Sequence, residues 1–196
     1  MFKVDCHLII RTDRLKYRSK CLESIISEPV NLFAVDGDNR TVSEARKIGF
    51  SCGNAEYITF VDDDDFVEAG AMQACVDVLD ANPELVAVFT SERRIAENGA
   101  QIAIYPPIFE KYDQKKIINN HPYAHHIVIF RRKFYEKVKF TLNLWQTCGD
   151  QAMIFELSKL GGFGKVGIVG YNWRRRTKSA CANAVSEYKD MIAHYR

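Results

Sequence analysis

Four consecutive carboxylates, Asp62 to Asp65, follow the apolar run Tyr57-Ile-Thr-Phe-Val61. Adjacent like charges each raise the cost of ionising the next, so such a run calls for a compensating charge. A hard divalent cation, which takes oxygen ligands and leaves positions open for phosphate oxygens, is the simplest compensator. A solvated acidic turn is the alternative. What favours a site is position, because open α/β sheets bind ligands just beyond the C-terminal ends of their strands. A second lone carboxylate, Asp150, follows Gly149 at the predicted start of a helix. There it suits either a helix cap or a general base, and the helix dipole is expected to keep it ionised. Two basic runs complete the set: Arg131-Arg132-Lys133 with Lys137 and Lys139, and Arg174-Arg175-Arg176 with Lys178. Guanidinium groups suit bidentate phosphate contact. The first run reads as a solvated helix face or as a contact for a polyanionic acceptor. His125 and His126 alternate on a predicted strand, so one faces inward. Trp145 and Trp173 suit either sugar stacking or core packing.

Strands and helices in alternation must position these groups. Val4–Ile10, Asn31–Val35, Tyr57–Val61 and Leu85–Thr90 read as buried strands. Between them, residues 15–28 and 68–79 have helical apolar spacing, and Thr41 with Glu44 forms a capping-box pattern. Gly49 is expected to close the helix that starts there. This alternation predicts a parallel, doubly wound first half. In the second half, Asn98-Gly99 marks a hairpin, residues 125–130 a strand, 132–138 a short helix, 150–160 an amphipathic helix and 166–171 a last strand before a helical tail. The expected organisation is one domain over 1–196, with a nucleotide-binding half at 1–92 and an acceptor-shaping half at 93–196.

The chain has 196 residues, 47% of them apolar, and a formal net charge of +2. That suffices for a real core, and global charge neither requires nor excludes a nucleic-acid partner. No run of eighteen apolar residues exists to cross a membrane. The N-terminus reads as a first strand, since Asp5 interrupts its apolar run. Six cysteines, at 6, 21, 52, 75, 148 and 181, lack any Cys-x-x-Cys pair. Reduced thiols and a cytoplasmic location are therefore expected.

Ser43-Glu-Ala-Arg-Lys-Ile-Gly49, then Ala55-Glu-Tyr-Ile-Thr-Phe and Val61-Asp-Asp-Asp-Asp-Phe66, resembles the core of the inverting family-2 glycosyltransferases of GT-A fold. Their pattern runs A-R-N-x-G, then A-x-G-E-Y-I-x-F-L-D-x-D-D. Arg11-Thr-Asp-Arg14 resembles the family's first loop, Val35-Asp-Gly37 its V-D-D-G-S step, His125–Lys133 its acceptor-side strand, Gly149-Asp150 its G-E-D motif and Trp173-Arg174 with Ser179 its tail. The resemblance implies an α/β GT-A fold: a mixed, mostly parallel sheet flanked by helices, with a smaller acceptor-side β region. It also implies a nucleotide-sugar donor and a divalent metal, Mn²⁺ or Mg²⁺. Asp64 and Asp62 would hold the metal, and Asp62 would also face the ribose. Asp65 would stand behind the metal or contact the donor sugar. Asp63, pointing the other way, is expected to matter least. Thr12, Arg14, Asp36, Arg46, Arg174 and Arg176 would meet the donor. His125, His126 and Trp145 would lie on the acceptor side, with Asp150 as the base. Three departures stand out: Lys47 in place of Asn, Arg176 where the family often has a metal-touching His, and Gly149-Asp150 without the Glu of the family's motif.

Two other functions compete. A sugar nucleotidyltransferase would open with a Gly-rich basic loop, and Arg11-Thr-Asp-Arg14 has no glycine. A nucleotide- or nucleic-acid-binding module without transfer activity fits the departures but not the retained aspartates. The acceptor is open between a glycan, a lipid-linked sugar and a modified DNA base, the last of which must be extruded from its duplex or single-stranded.

Overall fold

The computed structural model describes residues 2–105, 126–177 and 185–195. His125, Lys178 and Ser179 lie outside them, as does the loop expected from Pro106. β1 (Val4–Ile10) is buried on both faces, which is why it reads as an unbroken apolar run. A 3-10 turn (Thr12–Arg14) leads into α1 (Leu15–Ile26). β2 (Val30–Asp36) and α2 (Val42–Ser51) follow. The predicted capping box at α2 is present: Thr41 Oγ1 accepts from the Glu44 amide, and Glu44 Oε2 accepts from the Thr41 amide. Gly49 does not close this helix. It lies inside it, where a Cβ would come within 3.1 Å of His7 Cβ, so its role is close packing on β1.

Next come β3 (Tyr57–Asp62), the two-residue β4 (Phe66–Val67) and α3 (Ala71–Ala81). β5 (Leu85–Ile95) outruns the expected strand and turns at Asn98-Gly99 into β6 (Gln101–Tyr105). The 92/93 division therefore falls inside a strand. β7 (Val128–Arg131), α4 (Arg132–Val138), a 3-10 stretch (Lys139–Asn143), α5 (Gly149–Ser158), β8 (Gly162–Arg174) and α6 (Val185–His194) complete the described chain.

One sheet runs in the order β2-β1-β3-β7-β5-β8-β4, with β6 on β5. β2, β1 and β3 are mutually parallel, and β5 is parallel to β8. β7 lies antiparallel between β3 and β5, so these five strands all point one way. The sheet is mixed because β4, β6 and β7 each run antiparallel to the strands they pair with, and sequence periodicity reports β7 as a strand but not its direction. Two apolar layers cover the sheet. One joins β1, α1 and α3; the other is built from Phe50, Phe60, Phe130, Tyr135 and Phe163 with α5. The parallel strands deliver their C-terminal ends, Ile10, Asp36, Asp62, Ile95 and Arg174, to one edge of the molecule.

Candidate donor and metal site

At that edge the four aspartates separate. Asp62 ends β3, and its Oδ1 accepts from Arg46 Nη2 at 2.7 Å. Arg46 is 1% exposed, with its guanidinium 4.1 Å over the Phe60 ring. Its Nε and Nη1 are buried with no hydrogen-bond partner. Burial raises the cost of ionising Asp62, but the guanidiniums of Arg46 and Arg14 outweigh it and hold the carboxyl down to about 2. Asp64 lies 3.0 Å from Arg14 Nη1 and 2.5 Å from Arg176 Nε. Burial still pushes its carboxyl up, with Arg14 opposing and Asp62 adding to the rise. Asp65 accepts the Tyr171 hydroxyl at 2.8 Å and the Arg174 amide at 2.6 Å. Burial and the neighbouring Asp64 and Asp62 push its carboxyl well above the usual range.

Asp63 corrects the expectation that it matters least. It is fully buried and accepts from the Arg11 amide and from Arg18 Nη2, with Arg14 3.5 Å away. It fastens the loop after β1 to the turn after β3, and so fixes where Arg14 points. The alternation that turns it from its neighbours aims it into the protein instead of into water.

Asp62, Asp64 and Asp65 each present one carboxylate oxygen, all within 4.8 Å of one another. Three hard oxygens so close fit a divalent cation. Arg14 and Arg176 supply the counter-charge at Asp64 in this structure, which is where the family-like tail carries Arg instead of His.

The other expected donor contacts are placed unevenly. Asp36, exposed at the end of β2, accepts from the Asp38 amide and from Arg40. Thr12 is exposed beside it, its amide 3.3 Å from the Asp38 carboxylate. Arg174 serves the protein's own backbone: Nε donates to Asp64 O at 2.9 Å and Nη1 to Glu97 O at 3.0 Å. It ties the aspartate turn to the β5–β6 hairpin.

Asp150 lies in the first turn of α5, half-buried, with Oδ1 accepting from the Gln151 amide at 2.8 Å. Burial pushes its carboxyl up; Arg46 opposes and Asp62 adds to the rise. The helix-dipole expectation of a lowered pKa is thus reversed, because desolvation and a like charge outweigh it. His126 stacks on Tyr171 at 4.7 Å and meets Phe60 edge-on at 4.8 Å, which sets it behind Asp65. Trp145, partly buried, packs against the cluster that joins α5 and α6, 6.0 Å from the His194 ring.

Sequence reasoning missed the roles of Arg131 and Arg132. Arg131 donates to Leu85 O and Leu79 O, and Arg132 pairs with the buried Asp5 and donates to Ala55 O. They are neither a solvated face nor open to a polyanion. Asp5, an acid inside an apolar strand, was the signal that a buried cation must meet it.

The sequence profile described as "Glycosyl transferase family 2" matches residues 18–139, more than half of the chain. No curated protein matches it. Among solved structures, the chain is similar to S. aureus TarS 1–349 (TM-score 0.69, 12% identity), covering 99% of this chain and 65% of that one. It is likewise similar to TarS 1–349 in complex with UDP-GlcNAc (TM-score 0.72, 11% identity, 99% and 66% covered). The UDP complex gives a TM-score of 0.70 at 12% identity, with 99% and 65% covered. The chain thus spans about two thirds of the length of those structures, and it shares their GT-A fold. By the profile match it belongs to glycosyl transferase family 2.

Proposed function

We propose that the chain transfers a sugar from a UDP-linked donor to an acceptor hydroxyl, with inversion at the anomeric carbon. The observation that carries this is the convergence of Asp62, Asp64 and Asp65 at the C-terminal edge of the parallel strands. The likeness to folds that hold UDP-GlcNAc and UDP supports the donor class. A bound Mn²⁺ or Mg²⁺ would be held by these carboxylates and would offset the charge of the diphosphate.

Arg46 pairs with Asp62, and Arg14 and Arg176 pair with Asp64. They bind the donor phosphates and stabilise the negative charge that grows on the leaving group. Asp150 takes the proton of the acceptor hydroxyl while that oxygen attacks the anomeric carbon. The bond from that carbon to the diphosphate oxygen breaks, and its electron pair leaves with UDP. Ionised Asp62 and Asp64 also favour the oxocarbenium character of the sugar at the transition state.

The reading includes a cytoplasmic location. It is supported by free thiols at Cys6, Cys21, Cys52, Cys75 and Cys148. Among the described residues, no helix is long and apolar enough to cross a membrane.

The test is thermal shift with UDP-GlcNAc and Mn²⁺, read beside UDP release with water as acceptor. The wild type should gain about 2.7 kcal/mol of stability at a hundredfold excess over Kd and release UDP. Asp64→Ala should lose both. A wild type indifferent to UDP-sugars with Mn²⁺ present sinks the reading.

A further inference from the structure

The tail helix α6 reaches back to the start of α5. Glu187, on its first turn, accepts three backbone amides in a row. Oε1 takes the Gln146 amide, and Oε2 takes those of Thr147 at 2.8 Å and Cys148 at 3.2 Å. These three residues are the turn that leads directly into Gly149-Asp150. The α5 N-cap is Cys148, whose side chain makes no capping bond. The Glu187 carboxylate takes the amide of that N-cap residue and those of the two residues before it, so it holds the turn that enters α5 and not the amides of the helix's own first turn.

The same turn is held from its other side by α2, the helix that carries Arg46. The Ser43 amide donates to Gln146 O at 3.0 Å. At Gly149 a Cβ would lie 2.2 Å from Ser43 Oγ, so α5 presses on α2 as closely as a glycine permits. Below the clamp, Cys148, Ala152 and Phe155 bury against Met191 of α6 and Tyr195 just after it, with the Phe155 and Tyr195 rings stacked at 5.2 Å.

From this geometry we infer that Glu187 is a positioning residue for Asp150: its carboxylate fixes the 146–148 turn, and thereby sets the base against the Arg46–Asp62 pair. The inference rests on reading Asp150 as the base. Gly149 leaves no side chain in the motif to orient the turn, and the tail helix supplies one. Three amides aligned on one carboxylate is a demanding geometry. Glutamine has one acceptor oxygen, and its NH₂ would face an N–H, so Glu187→Gln releases the turn without changing side-chain size.

The test measures UDP release from UDP-GlcNAc, with water as acceptor, for Glu187→Gln, Asp150→Asn and the double variant. Rates are taken per molecule able to bind donor. Glu187→Gln should lower kcat on the order of 10²-fold, the scale of a displacement of about 1 Å at a reacting group, with KM for UDP-GlcNAc unchanged. In the Asp150→Asn background it should lower the rate no further, because a residue that acts through Asp150 has nothing left to position. A Glu187→Gln rate at the wild-type level, or a loss that multiplies onto Asp150→Asn, overturns the inference while the base reading stands. Asp150→Asn at the wild-type rate removes the base reading and the inference with it. Independently of turnover, amide hydrogen exchange at Thr147 and Cys148 should rise in Glu187→Gln, and unchanged exchange overturns the clamp.

Discussion

Arg131-Arg132 and Arg174-Arg175-Arg176 look alike as sequence: each is a basic run at the end of an apolar strand. In the fold they sit at opposite ends of the sheet. β7 runs against its neighbours, so Arg131 pairs with Tyr57 at the start of β3, while β8 runs with β3 and brings Arg174 beside Asp64 and Asp65. At the far end Arg131 and Arg132 are taken up by the protein's own carboxylates and carbonyls. Arg132 pairs with Asp5, 1% exposed, and caps the Phe50, Ala55 and Cys52 carbonyls. At the site end the charges are crowded and shared: Arg14 lies within ion-pair reach of Asp62, Asp63 and Asp64 together. A matched, buried pair holds a fold; a concentration of carboxylates with several cations around it holds a ligand. Strand direction decides which basic run does which.

The largest expected effect tests the far end. Arg132→Ala leaves Asp5 buried without a counter-charge, which costs about 3–5 kcal/mol. Urea unfolding should show that loss, while the molecules that stay folded release UDP from UDP-GlcNAc at the wild-type rate. A large fall in turnover per folded molecule would mean that the two ends are not separate.

Arg176→Ala should do the opposite. Its guanidinium lies against Asp64 and Asp13, and Arg14 remains to hold Asp64. Stability should change little. Losing one charge-assisted contact to the donor, worth about 1.5–3 kcal/mol, should lower kcat/KM roughly 10- to 100-fold. Mn²⁺ binding, followed by paramagnetic resonance without donor, should tighten, because a competing cation has left Asp64. Weaker Mn²⁺ binding would show that Arg176 supports the cation site instead of competing for it.

These contrasts mark how far the sequence could be read. Buried strands, the capping box at Thr41 and Glu44, the Asn98-Gly99 hairpin and the four aspartates at a strand end were all legible, since each depends on local chemistry. The direction of β7 was not, because it shows only in which strands β7 pairs with. Asp63 was misjudged because a side chain turned away from its neighbours was read as idle, when it meets the Arg11 amide and Arg18; Arg174, expected at the donor, donates to the Asp64 and Glu97 carbonyls. Glu187 lay in a tail that showed helical periodicity and nothing more. Its role exists only where α6 meets α5.

The smallest effect is the sharpest contrast between the two ends. Burial and Asp62 raise the Asp150 carboxyl above its ordinary value, so between its unfolded and folded pKa the native state binds more protons than the unfolded chain. Stability then falls as pH rises through that window, and the full penalty is present above it. Asp150→Asn removes the penalty. It should melt slightly higher than the wild type at neutral pH, the advantage shrinking as pH falls through the raised value and vanishing below the unfolded one. The same raised pKa sets the acidic limb of the free enzyme's reaction with donor, since only the carboxylate accepts a proton: wild-type kcat/KM should fall with decreasing pH at a value above the ordinary carboxylate range. Melting curves of both proteins against pH, overlaid on the wild-type rate profile, check the two together. If the stability gap closes where the rate falls, one group governs both, and the site end is held in a charged state that the fold disfavours. Coincidence of the two proteins' melting curves at every pH would mean that Arg46 fully compensates Asp150, making the site end as closed a pair as Asp5 and Arg132.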